Sequence, residues 1–253
     1  VVGSPGRETL AKHLPLVREQ HHVDVVIANG ENAAGGFGLT HQTAEEMFAA
    51  GVDFLTSGNH IWDKREFRGE LDETDRIIRP ANYPPGSPGR GSGVIDVDGV
   101  RVGILNVMGR VFMPPVDDPF RVAREFVDQL REQTPVIVVD VHAEATSEKM
   151  AMGRFLDGDV SFVFGSHTHV QTADEQIFAG GTAYITDVGM TGPSDGVIGM
   201  EATGVLQRFT QAYGERFAVQ RTGTRQFCAV VTTVDTTTGR ALEVKRIQLR
   251  GLA

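Results

Sequence analysis

Four short polar segments of this chain carry metal-binding residue types, and each directly follows an apolar run. Ile27-Ala28 leads into Asn29-Gly30-Glu31-Asn32, and Leu55-Thr56 into Ser57-Gly58-Asn59-His60. Val136 to Val139 leads into Asp140-Val141-His142, and Phe164 into Gly165-Ser166-His167-Thr168-His169. The donors are one carboxylate (Glu31), two amides (Asn32, Asn59) and imidazoles at His142, His167 and His169. Nitrogen and oxygen without sulfur suit manganese, iron, zinc, cobalt or nickel. The set exceeds what one tetrahedral ion needs, and a carboxylate can bridge two ions about 3.5–4 Å apart in a hydrolytic centre. Glu31 is the bridging candidate. Asp140, the other carboxylate in these segments, is read as facing away from His142.

Taken singly, each segment has a plainer reading. Asn59-His60 reads as a turn, Glu31-Asn32 as a capping pair, and His142 as a satisfied core histidine. His167-Thr168-His169 says more, because residues two apart project to one side of an extended segment. The arrangement carries the argument: four of the eight histidines fall just past predicted strands. His13, His21, His22 and His41 read as solvated, and Arg7 and Arg110 as surface cations rather than phosphate partners. Gly35-Gly36-Phe37-Gly38 lacks the spacing of a dinucleotide fingerprint.

Ligand residues scattered this widely need a scaffold that gathers strand ends. Apolar β-branched runs at 23–28, 52–56, 136–139 and 160–164, with a shorter one at 183–186, read as buried strands. In open α/β sheets, sites form beyond the carboxyl ends of such strands. Ser4-Pro5 reads as a helix start followed by Leu10, Leu14 and Val17 on one face, with a kink at Pro15. Further helices are expected over about 41–50, from Asp118-Pro119 onward, and over about 201–210. Asp98-Gly99 between two apolar alternating runs predicts a tight hairpin. A second hairpin is expected around Thr238-Gly239, and 63–92 reads as a surface excursion. These elements predict one domain of two packed sheets with helices outside.

The chain has 253 residues, 40% hydrophobic and 23% charged, with 24 Lys plus Arg against 33 Asp plus Glu for a formal charge of -9. An acidic chain without a basic patch argues against tracking a long nucleic acid, while bound cations still allow a small anionic substrate. No apolar run approaches a membrane span. The one cysteine, Cys228, excludes a disulfide framework and reads as a packing residue, which fits a cytoplasmic protein. A homo-oligomer is the base-rate expectation.

The motifs also carry a resemblance. Asn-Gly-Glu-Asn at 29–32, Gly-Asn-His at 58–60, Asp-Val-His-Ala-Glu-Ala-Thr-Ser-Glu-Lys at 140–149, Gly-Ser-His-Thr-His-Val at 165–170 and Asp-Val-Gly-Met-Thr-Gly-Pro at 187–193 closely resemble the YmdB-like branch of the calcineurin-like metallophosphoesterases. The resemblance implies a four-layer αββα sandwich, with two mixed sheets flanked by helices. It implies a dinuclear phosphodiesterase acting on small cyclic nucleotides, 2′,3′-cyclic nucleotides above all. The ions would be divalent or mixed-valence, iron or manganese first, with zinc, cobalt or nickel as alternatives. By the resemblance Glu31 bridges the ions, Asn32 and His169 belong with the first, and Asn59, His142 and His167 with the second. His60 is implied as the proton donor to the leaving oxygen, opposite a metal-bridging hydroxide that attacks phosphorus. The family opens with a strand ending in Gly-Asp, whose Asp is a ligand of the first ion. This sequence starts just after it, so residues 1–253 are read as a single domain lacking its first strand. Two alternatives remain at this stage: a catalytically weak nucleotide- or phosphate-binding regulator on the same scaffold, and a metal-dependent hydrolase of C–N bonds.

Overall fold

The computed structural model describes residues 1–253 except Ala212 and Glu215. Its helices are α1 (Gly3–Gln20), α2 (His41–Ala49), α3 (Pro119–Arg131), α4 (Thr146–Phe155) and α5 (Ala202–Thr210). Its strands are β1 (Ile27–Asn29), β2 (Phe54–Thr56), β3 (Ser92–Val97), β4 (Val100–Met108), β5 (Ile137–His142), β6 (Phe162–Ser166), β7 (Gln176–Ile177), β8 (Ala183–Ile185), β9 (Gly192–Pro193), β10 (Arg225–Val234) and β11 (Ala241–Leu252).

One sheet runs β3-β4-β5-β6-β8-β7, with β4, β5, β6 and β8 parallel and an antiparallel strand at each edge. The parallel pair β1-β2 and the antiparallel set β9-β10-β11 make up the opposing layer. Helices α1 and α2 cover that layer through Leu10, Leu14, Val17 and Met47, packed on Leu55, Phe227 and Ile247. Between the sheets, Phe54 of β2 meets Val102, Ile104 and Val136, while Val230 and Val244 meet Phe162, Phe164 and Ile185. On the far side, Ala123, Val127 and Leu130 of α3 and Met152 of α4 pack on Leu105, Val107, Val139, Val141 and Val163. The layers are therefore helix, sheet, sheet, helix, which is the expected sandwich. Among the described residues, no helix is long and apolar enough to cross a membrane.

The hairpin at Asp98-Gly99 forms as its sequence demands: both residues have positive φ, 51° and 86°, as a type I′ turn requires. Asp118 caps α3 by accepting from Phe120 N, with Pro119 in the first turn. One expectation needs correcting and one element was not foreseen. Helix α1 starts at Gly3, with Val2 before it making no side-chain cap, and Pro15 lies within the one continuous helix. Helix α4 has no counterpart in the sequence reading. Its inward face is Lys149, Met152 and Gly153, so its apolar period is interrupted by a lysine and by a glycine. A Cβ at Gly153 would lie 2.5 Å from the Tyr184 ring.

Register sets the site. In the main sheet Met108, His142 and Ser166 are cross-strand partners, as are Asn106, Asp140 and Phe164 one pleat earlier. In the other layer Asn29 pairs with Thr56. The loops leaving β1, β2, β4, β5, β6 and β8 thus open at one end of the sandwich.

Candidate metal centre

Glu31 follows β1 and is 1% exposed. Its backbone N–H donates to Asn29 Oδ1 (3.2 Å), and its Oε2 accepts from His60 N (3.0 Å). Its Oε1 lies 3.2 Å from His142 Nε2. That nitrogen also lies 2.9 Å from Asn59 Oδ1 and 3.1 Å from His167 Nδ1. Ligand atoms of Glu31, His142 and His167 all fall within 4.8 Å of one another. Asn32 and His169 stand beside this cluster: Asn32 Nδ2 is 3.4 Å from Glu31 Oε1 and 3.0 Å from His169 Nε2.

The outer nitrogens of the three imidazoles are all anchored. His142 Nδ1 lies 2.9 Å from Ser166 Oγ. The Ser166 hydroxyl donates to Asp140 Oδ1 (2.6 Å), so its oxygen is left to accept from His142 Nδ1–H. His167 Nε2 faces Glu144 Oε2 at 3.2 Å, and His169 Nδ1 faces the Ile198 carbonyl at 2.9 Å. A proton on each outer nitrogen would leave the inner nitrogens, His142 Nε2, His167 Nδ1 and His169 Nε2, free to give a lone pair to a metal. Metal-binding histidines are held in this way.

Does the donor set fit a cation? With its proton on Nδ1, His142 Nε2 offers a lone pair to Asn59 Oδ1, Glu31 Oε1 and the lone pair of His167. A second ring proton on Nε2 could serve only part of this set, whereas a cation among them would serve all of it. Asn32 Oδ1 is buried and has no hydrogen-bond partner among the described residues, a further oxygen that a positive charge would satisfy. Gly58 supplies the space: a Cβ there would lie 2.2 Å from His142 Nε2 and 2.4 Å from Glu31 Oε2. The residues present fit bound metal.

The charges of the cluster are coupled. Burial would raise the Glu31 pKa, but the His142 imidazole and the His60 N–H pull it down to about 2. Burial works against protonation of His142, but the Glu31 carboxylate overrides it and raises the pKa. Burial, helped by neighbouring His142, lowers His167 to about 4, and burial also lowers His169. The centre holds one firm negative charge at Glu31, which favours the protonated form of His142 in the metal-free protein, while His167 and His169 are held toward the neutral form; a bound cation would take the place of the His142 Nε2 proton.

Among the described residues, His60 hydrogen-bonds to the cluster through its backbone N–H. Its Nδ1 lies 2.9 Å from Asp63 Oδ2, and its ring meets the edge of Phe37 with centroids 5.1 Å apart. Of the seven residues singled out from sequence, the structure gathers Glu31, Asn59, His142 and His167 most tightly. It sets Asn32 and His169 alongside and keeps the His60 ring apart.

Asp140 is the correction. Residues two apart in a strand point the same way, so Asp140 shares a face with His142 rather than opposing it. Its carboxylate is fully buried and accepts from Asn29 Nδ2 (3.1 Å), Thr56 Oγ1 (2.5 Å) and Ser166 Oγ (2.6 Å). It ties the ends of β1, β2, β5 and β6 together and fixes the His142 tautomer through Ser166. The alternation was the signal that could have found it. Glu144 and Glu148 were also missed: Glu144 anchors His167, and Glu148 accepts from Arg110 N and Val111 N (2.9 and 3.1 Å).

Comparison with known proteins adds to this geometry. A family model described as "YmdB-like protein" matches residues 1–247. The chain is 44% identical over 247 residues to a 2′,3′-cyclic-nucleotide 2′-phosphodiesterase of Bacillus subtilis (strain 168), covering 98% of this chain and 93% of that protein. A hypothetical protein from Thermus thermophilus superposes with a TM-score of 0.92 at 41% identity, over 99% of this chain and 96% of that one. A structure described as a novel phosphatase from Mycoplasma pneumoniae gives a TM-score of 0.93 at 33% identity, over 99% and 90%.

Proposed function

The chain belongs to the YmdB-like family, and from that premise we propose that it is a metal-dependent phosphodiesterase acting on 2′,3′-cyclic nucleotides. The observation that carries the reading is the set of three imidazoles, each anchored outward and turned inward around Glu31. Glu31, Asn59, His142 and His167 would hold one ion, and Glu31, Asn32 and His169 the other, with Glu31 shared. The family resemblance favours manganese or iron, and the nitrogen and oxygen set also suits zinc, cobalt or nickel. Bound there, such ions supply positive charge to the phosphate and make water a nucleophile near neutral pH.

The chain's own residues do the rest. Glu31 would be shared by the two sites: its Oε1 lies beside His142 Nε2 and Asn32 Nδ2, while its Oε2 accepts from His60 N. Asp140 and Ser166 keep His142 from rotating. Asp63 accepts the Nδ1 proton of His60, which points Nε2 outward as the acid that protonates the leaving ribose oxygen. Phe37 restricts the tilt of that ring. The Bacillus subtilis relative's name identifies a 2′,3′-cyclic-nucleotide substrate for that protein, and the shared donor set supports carrying the substrate class over. The site's small phosphodiester chemistry calls for no nucleic-acid tract and no membrane.

The test is hydrolysis of 2′,3′-cyclic AMP and of bis-p-nitrophenyl phosphate by protein loaded with Mn²⁺ or Fe²⁺, against chelator-treated protein. Turnover that vanishes with chelator and returns with metal is expected. Stoichiometric metal binding without turnover of either compound would overturn the proposal.

A further inference from the structure

We propose that Lys149, through its buried ion pair with Asp187, is a positioning residue that holds His167-Thr168-His169 in its ligand-presenting conformation. The proposal rests on the metal-centre reading above. Lys149 and Asp187 are each 1% exposed, and Lys149 Nζ donates to Asp187 Oδ2 at 2.7 Å. The same oxygen accepts from Thr168 N (3.2 Å) and Thr168 Oγ1 (2.7 Å), while Oδ1 accepts from Gly189 N (2.8 Å). Asp187 therefore grips the residue between the two histidines by both its backbone and its hydroxyl.

That grip answers a local difficulty. His167 and His169 both have positive φ, 99° and 67°, a region that residues with a Cβ rarely adopt. Such conformations persist only where the surroundings impose them. Around Thr168 the imposing contact is Asp187, and the charge on Asp187 is matched by Lys149. The lysine stem needs a clear path: a Cβ at Gly165 would lie 2.7 Å from Lys149 Cδ and 1.8 Å from the Thr186 carbonyl. Glycine at 165 thus lets α4 reach across β6 to the loop after β8. A buried ion pair is a poor source of stability compared with apolar packing of the same volume. Its placement under two ligand histidines gives it a geometric task instead. The adjacent residue of α4, Glu148, holds Arg110 N and Val111 N on the other rim, so the first turn of this helix braces both sides of the centre.

The experiment compares Lys149→Met, Thr168→Val and Thr168→Ser with the wild type in full-length protein. It measures Mn²⁺ stoichiometry, Mn²⁺ dissociation constants by calorimetry, and Tm with and without metal. Thr168→Val removes the hydroxyl bond and leaves the Lys149 and backbone bonds to Asp187, so it should still fold, with a metal-free Tm lowered less than that of Lys149→Met. It should nevertheless bind Mn²⁺ about 10- to 100-fold more weakly and show a smaller metal-induced rise in Tm. Thr168→Ser retains the donor and should recover most of the affinity. Lys149→Met should weaken binding at least as much as Thr168→Val. If the wild type takes up two ions and Thr168→Val and Lys149→Met bind them as tightly, the inference is overturned while the metal-centre reading stands. If the wild type takes up none, the metal-centre reading itself fails.

Discussion

Gly58→Ala probes the space at the heart of the centre. The backbone at Gly58 is extended, with φ −164°, so alanine introduces no left-handed strain there. The difficulty is room. The new methyl would lie 2.2 Å from His142 Nε2 and 2.4 Å from Glu31 Oε2, where ordinary contacts begin near 3.4 Å. Something must move by about 1.2 Å. Neither neighbour yields cheaply, because His142 is pinned by Ser166, Glu31 is pinned by His60 N, and both are buried. Overpacking of this kind costs about 1–3 kcal/mol, and a displacement near 1 Å at a reacting site costs on the order of 100-fold in rate. We therefore expect Gly58→Ala to lower metal-free stability by about 1–3 kcal/mol. Mn²⁺ affinity should fall about tenfold or more, since each 1.4 kcal/mol is a factor of ten. Urea titration reads the first effect and calorimetric Mn²⁺ titration the second. A variant that folds with wild-type Mn²⁺ affinity and turnover would refute the reasoning, because the methyl would then occupy space the ions do not use.

Other perturbations separate the roles of neighbouring residues. His60→Ala should lower kcat about 10²- to 10⁴-fold with metal content unchanged, and parallel loss of metal in elemental analysis would make His60 a ligand instead. Ser166→Ala frees His142 Nδ1 and should weaken Mn²⁺ binding about 10- to 100-fold; unchanged calorimetric affinity would remove Ser166 from the account. The metal-free protein should lose stability as pH falls through the interval between the ordinary histidine pKa of 6.5 and the lowered value of about 4 at His167. The sign follows from burial: the folded state resists the proton that the unfolded chain accepts, so stability is whole above 6.5 and declines below it. The His167 share of the loss is about 3 kcal/mol, and His167→Asn should make the fall in the urea midpoint across this window shallower, leaving the part due to His169. An equally steep decline in the variant would assign the slope to another group.

The site residues were legible because metal ligands must be polar and must sit where strands end. Glu31, Asn59, His142 and His167 each follow an apolar run, and parallel pairing of β4, β5 and β6 aligns the ends of those runs. The Asp98-Gly99 hairpin was legible for a similarly local reason. What the sequence hid was the support beneath. Asp140 was set aside through a misjudged alternation, and its partners on β1, β2 and β6 could only be known from the fold. Helix α4 escaped notice because its buried face carries Lys149 and Gly153, residues chosen for reach and for clearance rather than for apolar period. The short strands β7 and β9, two residues each, leave no pattern long enough to read.

The most direct test of the central claim is anomalous diffraction from crystals of the Mn²⁺-loaded protein. The account predicts two peaks about 3.5–4 Å apart, with Glu31 between them, His142 and His167 at one and His169 at the other. A map with no anomalous peak among Glu31, Asn59, His142 and His167, in protein shown to carry metal, would contradict it.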